Sequence, residues 1–221
     1  MKLFLEAIVK FTCGLLLVGL LIFLPAGTLG YPCGWLFMGL LFGPMLVAGL
    51  VMLFKSPDFL KKRLDAKEKQ GTQKGVVALS GVMFIAGFVV AGLDYRFGWS
   101  VMPAWVTIAA SVLFLASYAL YAVVMRENAY LSRTIKVEEG QTVVDTGLYG
   151  IARHPMYAVT ILLFMVMPIV LGSWCALIPF AFYPAIIIVR LKDEETLLSK
   201  ELPGYEAYKQ KVKYRIIPFI W

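Results

Sequence analysis

The chain has 221 residues, of which 60% are hydrophobic and only 16% are charged, and its mean hydropathy is +0.79. Soluble domains contain about 45–50% apolar and about 25% charged residues, so this composition excludes an ordinary water-soluble globule, a disordered chain and a small disulfide-stapled domain. The formal charge of +7 would suggest nucleic acid in a soluble protein. In a membrane protein the expected anionic partner is the lipid surface, and we predict no nucleic-acid partner.

The first predicted elements are two membrane helices. Residues 11–54 contain no Asp, Glu, Lys, Arg or His, and turn-forming residues at 25–34 divide this run. A bilayer core needs about 20 apolar residues per helix, so the run is long enough for two spans joined by a short loop. Glu6 and Lys10 precede the run at i,i+4 spacing and can pair at the membrane interface.

The remaining hydrophobic runs predict two further spans and a helical hairpin. Residues 75–93 and 97–125 are the third and fourth spans, and the run 155–189 is interrupted at Pro168 and at residues 172–173. The predicted fold class is an all-α polytopic transmembrane bundle of about 5–6 spans, with a C-terminal helical hairpin and a cytoplasmic C-terminal helix. We divide the chain into residues 1–126, with four spans, and residues 127–221, the predicted catalytic region.

The distribution of basic residues predicts the orientation in the membrane. With six spans, every Lys and Arg except Arg96 lies on one side, in the N-terminal segment, in the loop 55–74, in the segment 126–153 and from residue 190 onward. The positive-inside rule makes this side cytoplasmic. We therefore expect both termini and the active site on the cytoplasmic side.

Cysteine and histidine are too scattered for a metal site. The three cysteines are Cys13, Cys33 and Cys175, without CxxC spacing, and His154 is the single histidine. Zinc and iron sites need several nitrogen or sulfur ligands at defined spacing. We predict no metal and no disulfide.

The first polar block of the C-terminal region precedes the hairpin. Pro155 suits the first turn of a helix, where free backbone N–H groups and the positive helix end favour an anion beside Arg153 and His154. Tyr157 would lie just inside the helix. The alternative is that Arg153 is only a positive flank of the membrane segment and His154 only precedes the helix. The sequence pattern leaves both interpretations open.

The second polar block follows the hairpin and contains Glu194 and Glu195. These carboxylates could accept hydrogen bonds from ribose hydroxyls or neutralise an ammonium group, although the charge pattern alone favours a solvated helix face. Tyr205 and Tyr208 would ordinarily lie at the membrane interface, but they could also face a cation. Because a hairpin returns its ends to one side, we expect the two blocks to meet.

The motifs between residues 147 and 221 follow a defined order. They are Gly147-x-Tyr149-Gly150-x-x-Arg153-His154-Pro155-x-Tyr157, a hydrophobic hairpin, Glu194-Glu195-x-x-Leu198, Gly204-Tyr205-x-x-Tyr208 and Arg215-x-x-Pro218. In combination they resemble the membrane methyltransferases of the isoprenylcysteine carboxyl methyltransferase and phospholipid methyltransferase group. Residues 1–146 resemble that group only in forming transmembrane helices.

The resemblance implies methyl transfer from S-adenosyl-L-methionine to a lipid or prenylated acceptor that enters from the bilayer, with S-adenosyl-L-homocysteine as the product. By motif position, it implies that the cofactor-binding residues are Tyr149, Arg153, His154, Pro155, Tyr157, Glu194, Glu195, Tyr205 and Tyr208. The implied catalytic or substrate-orienting residues are Arg153, Glu195 and Arg215. Lys211 stays an alternative to Arg215, because residues 211–215 stand where relatives often show Arg-Val-Pro.

The identity of the acceptor stays open at this point. A carboxylate is already ionised at neutral pH and needs only a cation such as Arg153 or Arg215, whereas an amine must first lose a proton to Glu194, Glu195 or His154. No dedicated base is obvious, which favours O-methylation of an isoprenylcysteine-like carboxyl over N-methylation of phosphatidylethanolamine. Further alternatives are an NADPH-dependent sterol-type membrane reductase and a non-enzymatic small transporter or scaffold.

Overall fold

The computed structural model describes residues 2–64, 71–131, 135 and 137–221, except for the side chain of Thr72. The chain is 75% helical, and the described residues contain no strand. The predicted all-α class is therefore confirmed. Four basic residues of the predicted charge pattern lie outside the described residues, namely Lys67, Lys69, Arg133 and Lys136.

The first two helices are α1 (Lys2–Ala26) and α2 (Pro32–Lys55). They confirm the predicted pair of spans, but the loop between them is shorter than predicted. Pro25 lies inside α1, and Pro32 opens α2, where its missing N–H would have had no intrahelical partner. The Glu6 carboxylate and the Lys10 ammonium form the predicted pair, with an N–O distance of 2.6 Å.

A short helix that we did not predict, α3 (Pro57–Leu64), is followed by α4 (Gly71–Phe97) and α5 (Ala104–Glu127). Among the described helices, four are long and apolar enough to cross a membrane, namely α1, α2, α4 from Gln73 onward, and α5. The third predicted span was too short, because α4 continues beyond the uncharged run and includes Asp94 and Arg96.

The C-terminal region contains α6 (Pro155–Val170), α7 (Leu177–Phe180), α8 (Tyr183–Glu201) and α9 (Tyr205–Lys211). The predicted break at Pro168 is wrong, because α6 continues through it to Val170. Proline near a helix end removes one hydrogen bond, while its fixed φ suits the helix. The break comes at Gly172, whose φ of 72° is left-handed. Since α6 has only 16 residues and the second leg is divided between α7 and α8, the total of five or six spans stays a prediction.

Close packing around α4 joins the N-terminal spans to the hairpin. The helix α1 packs along α4, while α7 and α8 pack against other parts of α4, and α5 packs along α6. A Cβ atom at Gly87 would lie 2.3 Å from the Phe180 ring, and one at Gly92 would lie 2.4 Å from the carbonyl oxygen of Ile22. These glycines let α4 approach its neighbours at distances that no other residue permits.

The far end of the hairpin is held by Asp94, which is only 1% exposed. Its carboxylate accepts hydrogen bonds from the Ser100 amide at 2.7 Å, from the Ser100 hydroxyl at 2.6 Å and from the Ser173 hydroxyl at 2.5 Å. Bonds to a buried charged group are stronger than neutral ones. The turn after α6 is therefore fixed to the end of α4, which leaves the opposite end of the hairpin to form the site.

Candidate active site

The two polar blocks and the C-terminal tail meet where α6 begins. The backbone N–H of Arg153 donates to the Tyr214 carbonyl at 2.9 Å, and that of His154 donates to the Arg215 carbonyl at 2.8 Å. Pro155 is the first residue of α6, so these two amides are held by the tail immediately before the helix starts. The tail thus crosses the N-terminal end of α6.

Glu195 joins the two blocks through a buried ionic cluster. Arg153 Nε donates to Glu195 Oε1 at 2.8 Å, and Arg215 Nε donates to Oε2 at 2.9 Å. His154 Nε2 lies 3.4 Å from Oε1. Glu195 is 6% exposed, so the alternative of a solvated helix face is wrong for this residue. Both of its oxygens hold the tail and the first block together.

The Arg153 and Arg215 side chains have further contacts on the tail. Arg153 Nη1 donates to the carbonyls of Val212 at 2.8 Å and Lys213 at 3.1 Å. The Arg215 guanidinium lies 5.1 Å from the centre of the Trp221 ring. Lys211, the alternative to Arg215, pairs instead with Asp145 at 2.6 Å on the surface.

The electrostatics of this cluster keep Glu195 ionised. Burial by itself would raise the pKa of Glu195, but the hydrogen bond and charge of His154, together with Arg153 and Arg215, lower it from 4.5 to about 2. A carboxylate with so low a pKa is a poor general base near neutral pH. Its contribution is to hold the two arginines.

Tyr157 and Glu194 form a second polar group beside the cluster. The Tyr157 hydroxyl donates to Glu194 Oε2 and accepts a hydrogen bond from Arg190 Nε at 3.1 Å. The Tyr157 and His154 rings stack with centroids 5.6 Å apart. Arg190 and Glu194 both lie within α8, which continues to Glu201. Their i,i+4 spacing therefore places them on one face of the helix.

These side chains line a cavity that is partly open to solvent. Seven of the predicted cofactor-binding residues line it, namely Tyr149, Arg153, His154, Tyr157, Glu194, Tyr205 and Tyr208. Glu195 and Arg215 are not among the residues that line it, and Pro155 opens α6. Sequence reasoning missed two contributors to the wall. The first is Arg190, and the second is a set of residues upstream of the first block, namely Asn128, Tyr130, Leu131, Ile135, Gln141, Thr142, Val143 and Val144. The i,i+4 spacing of Arg190 and Glu194 could have indicated that Arg190 belongs to the site. The upstream residues that line the cavity carry no motif.

Two tyrosines of the cavity wall, Tyr149 and Tyr205, have buried hydroxyls. The Tyr205 hydroxyl has no hydrogen-bond partner among the described residues, whereas the Asn128 side chain is close enough to the Tyr149 hydroxyl to lower its pKa. Burial raises the pKa of both, so they are neutral donors. An unpaired buried hydroxyl costs about 1–3 kcal/mol, which a ligand that accepts its hydrogen bond would recover.

The sequence of this region matches a known family. Residues 107–200 match the sequence model of the isoprenylcysteine carboxyl methyltransferase (ICMT) family. This match confirms the resemblance found in the motifs and supports a membrane methyltransferase. It runs from α5 to the end of α8, so it begins upstream of residue 147 and stops before the tail. The predicted division of the chain at residue 126 stays a prediction.

A curated relative comes from a different enzyme class. The chain is 27% identical over 135 residues to the Delta(14)-sterol reductase of Methylotuvimicrobium alcaliphilum. The alignment covers 54% of this chain and 32% of that protein, so the chain spans about a third of the length of the relative. This similarity keeps the reductase alternative open for experiment.

Proposed function

We propose that this protein is an S-adenosyl-L-methionine-dependent methyltransferase that acts on the carboxyl group of an isoprenylcysteine-like lipid. The observation that carries the proposal is the convergence of the Arg153, His154 and Tyr157 motif with Glu194 and the tyrosines on one cavity. The family match supports the methyltransferase class. The positive-inside distribution of charge supports a cytoplasmic cavity.

The side chains in the cavity wall fit this cofactor chemically. When bound, the cofactor would supply a methyl group activated by a positively charged sulfur. Glu194 would accept hydrogen bonds from ribose hydroxyls or balance a positive charge, while the neutral hydroxyls of Tyr149 and Tyr205 would donate to ligand oxygens. His154 and Tyr157 present a stacked pair of rings to the same space. Among the described residues, no group of three His, Cys, Asp or Glu is arranged to hold a metal ion.

The proposed reaction needs positioning more than proton transfer. A carboxylate oxygen of the acceptor attacks the methyl carbon, so a C–O bond forms as the C–S bond breaks and the sulfur keeps the bonding electron pair. No proton moves in this step, so the protein has to align the reactants and exclude water. An amine acceptor would need a base, and both oxygens of Glu195 are bound to arginines. This engagement removes one of the three candidate bases and leaves Glu194 and His154, so the proposal of a carboxyl acceptor rests on its needing no base.

Calorimetric titration of the purified protein in nanodiscs tests the class of cofactor. We expect S-adenosyl-L-homocysteine to bind with a micromolar dissociation constant and NADPH not to bind. The curated relative makes an NADPH-dependent reductase the second candidate, and binding of NADPH alone would replace our proposal with it. Binding of neither ligand would favour a non-enzymatic role.

A labelled methyl donor then identifies the acceptor. The protein is incubated with N-acetyl-farnesylcysteine, phosphatidylethanolamine or total native lipid. Transfer to the prenylcysteine as a base-labile ester is the expected result. A base-stable N-methyl product on phosphatidylethanolamine would instead establish the amine acceptor.

Tyr205→Phe tests the proposed role of the unpaired hydroxyl. We expect affinity for S-adenosyl-L-homocysteine to fall roughly 5- to 15-fold, the effect of losing one hydrogen bond of about 1–1.5 kcal/mol. The ligand-free protein should melt at an equal or higher temperature, because the variant lacks a buried unpaired group. Tyr214→Phe, on the tail and outside the cavity wall, is the matched control. An unchanged dissociation constant in Tyr205→Phe would remove this residue from the site.

A further inference from the structure

Arg190 occupies a distinct position among the arginines of the site. It lies in α8 one helical turn, about 6 Å, before Glu194. The residues preceding it, Ile186 and Ile187, are buried in the apolar core of the bundle. Its side chain lines the cavity, and its Nε donates to the Tyr157 hydroxyl. The guanidinium therefore lies where the apolar interior changes to the polar cavity.

The other two arginines of the site are engaged on its tail side. Arg153 is 8% exposed and donates to Glu195 and to two tail carbonyls, while Arg215 donates to Glu195 and is not among the residues that line the cavity. Along the axis of α8, Glu195 follows Glu194, whereas Arg190 precedes Glu194 and lies toward the buried residues of the helix. A lipid whose chains remain in the apolar region would bring its polar group to this side first.

We propose that Arg190 binds the anionic group of the lipid acceptor and orients it toward the cofactor, an inference that rests on the proposed function. A guanidinium presents paired N–H donors in a plane, a geometry that matches a carboxylate or a phosphate. For the isoprenylcysteine-like acceptor, this anion is the carboxylate that is methylated. For a phospholipid, it would be the phosphate next to the amine. The Tyr157 hydroxyl is hydrogen-bonded to both Arg190 and Glu194. In this proposal it connects the acceptor end of the cavity, at Arg190, to the cofactor end, at Glu194.

The test compares Arg190→Gln with the wild type on two acceptor analogues. N-acetyl-farnesylcysteine carries the carboxylate, and its neutral amide is used as a competitive inhibitor that lacks the charge. In Arg190→Gln we expect the KM for the carboxylate to rise about 30- to 100-fold, while the inhibition constant of the amide and the dissociation constant of S-adenosyl-L-homocysteine change less than about 3-fold. Arg190→Lys should recover part of the loss, because lysine keeps the charge without the planar fork.

Lys192→Gln is the matched control, because it removes an exposed positive charge from the same helix. The control should keep the KM of the wild type, which shows that net charge alone is not responsible. An unchanged KM in Arg190→Gln would overturn the inference while leaving methyl transfer intact. Equal losses for the carboxylate, the amide and the cofactor would assign Arg190 a merely structural role and would also overturn it.

The outcomes separate this inference from the function on which it rests. A wild-type protein that binds no S-adenosyl-L-homocysteine would overturn the proposed function, whatever the variants do. A wild-type protein that methylates phosphatidylethanolamine, with activity lost in Arg190→Gln but retained in Lys192→Gln, would support Arg190 as the anion-binding residue and identify phosphate as the anion.

Discussion

Glu195→Ala is expected to lower the melting temperature markedly and to weaken S-adenosyl-L-homocysteine binding by 100-fold or more. The substitution leaves the Arg153 guanidinium, which is 8% exposed, without its carboxylate partner. Removal of one partner from a buried ion pair costs about 3–5 kcal/mol, because the remaining charge is uncompensated. The tail is held to the first block by the same carboxylate, so the cavity wall should loosen with it. Differential scanning fluorimetry and calorimetric titration measure the two effects.

Two further variants make this result specific. Glu201→Ala removes an exposed carboxylate from the end of the same helix and should leave both the melting temperature and the affinity unchanged. Glu195→Gln keeps the shape of the side chain but removes its charge, so we expect an intermediate loss. If Glu195→Ala melts and binds as the wild type does, the ionic cluster has no role in stability or in the site.

The low pKa of Glu195 adds a pH dependence with a defined sign. Because its pKa falls from 4.5 to about 2 on folding, its stabilising contribution is fully present above about pH 5 and is lost as the pH falls below 4.5 toward 2. The difference in melting temperature between the wild type and Glu195→Gln should therefore narrow as the pH falls below about 4.5. A difference that stays the same between pH 5 and pH 3 would contradict this role of the Glu195 charge.

Gly92→Ala is expected to destabilise the bundle by about 1–3 kcal/mol, or more if the helices cannot separate. The added Cβ atom would lie 2.4 Å from the Ile22 carbonyl oxygen and 3.0 Å from the Ala26 nitrogen, both of which are backbone atoms. Unlike a flexible side chain, the backbone of α1 can relieve this contact only by moving away from α4. Thermal unfolding in a mild detergent measures the loss.

The matched control is Gly81→Ala on the same helix, where the added Cβ atom meets nothing within 4 Å. Alanine is the better helix former by about 1 kcal/mol, so this variant should melt at the same temperature or higher. Equal melting temperatures for the two alanine variants would mean that close contact between α1 and α4 does not limit the stability of the fold.

Sequence reasoning placed the helices well because the signal for a membrane helix is local. A run of about 20 apolar residues predicts a span wherever it occurs in the chain, and α1, α2, α4 and α5 follow these runs. The errors occurred at element ends, where interfacial polar residues such as Asp94 and Arg96 continue the helix beyond its apolar part. The predicted break at Pro168 was wrong because α6 continues through this proline, which lies two residues before the end of the helix.

By itself, the sequence determined the membrane class, the positions of the spans and the resemblance to the isoprenylcysteine carboxyl methyltransferase family, since hydropathy runs and ordered motifs are properties of consecutive residues. Only the tertiary structure decided that Glu195 is buried between Arg153 and Arg215 and that Arg190 faces the cavity. A charged helical segment has the same local pattern whether its face is solvated or buried. The difference arises from partners distant in the chain, which the folded hairpin and tail bring within hydrogen-bonding distance.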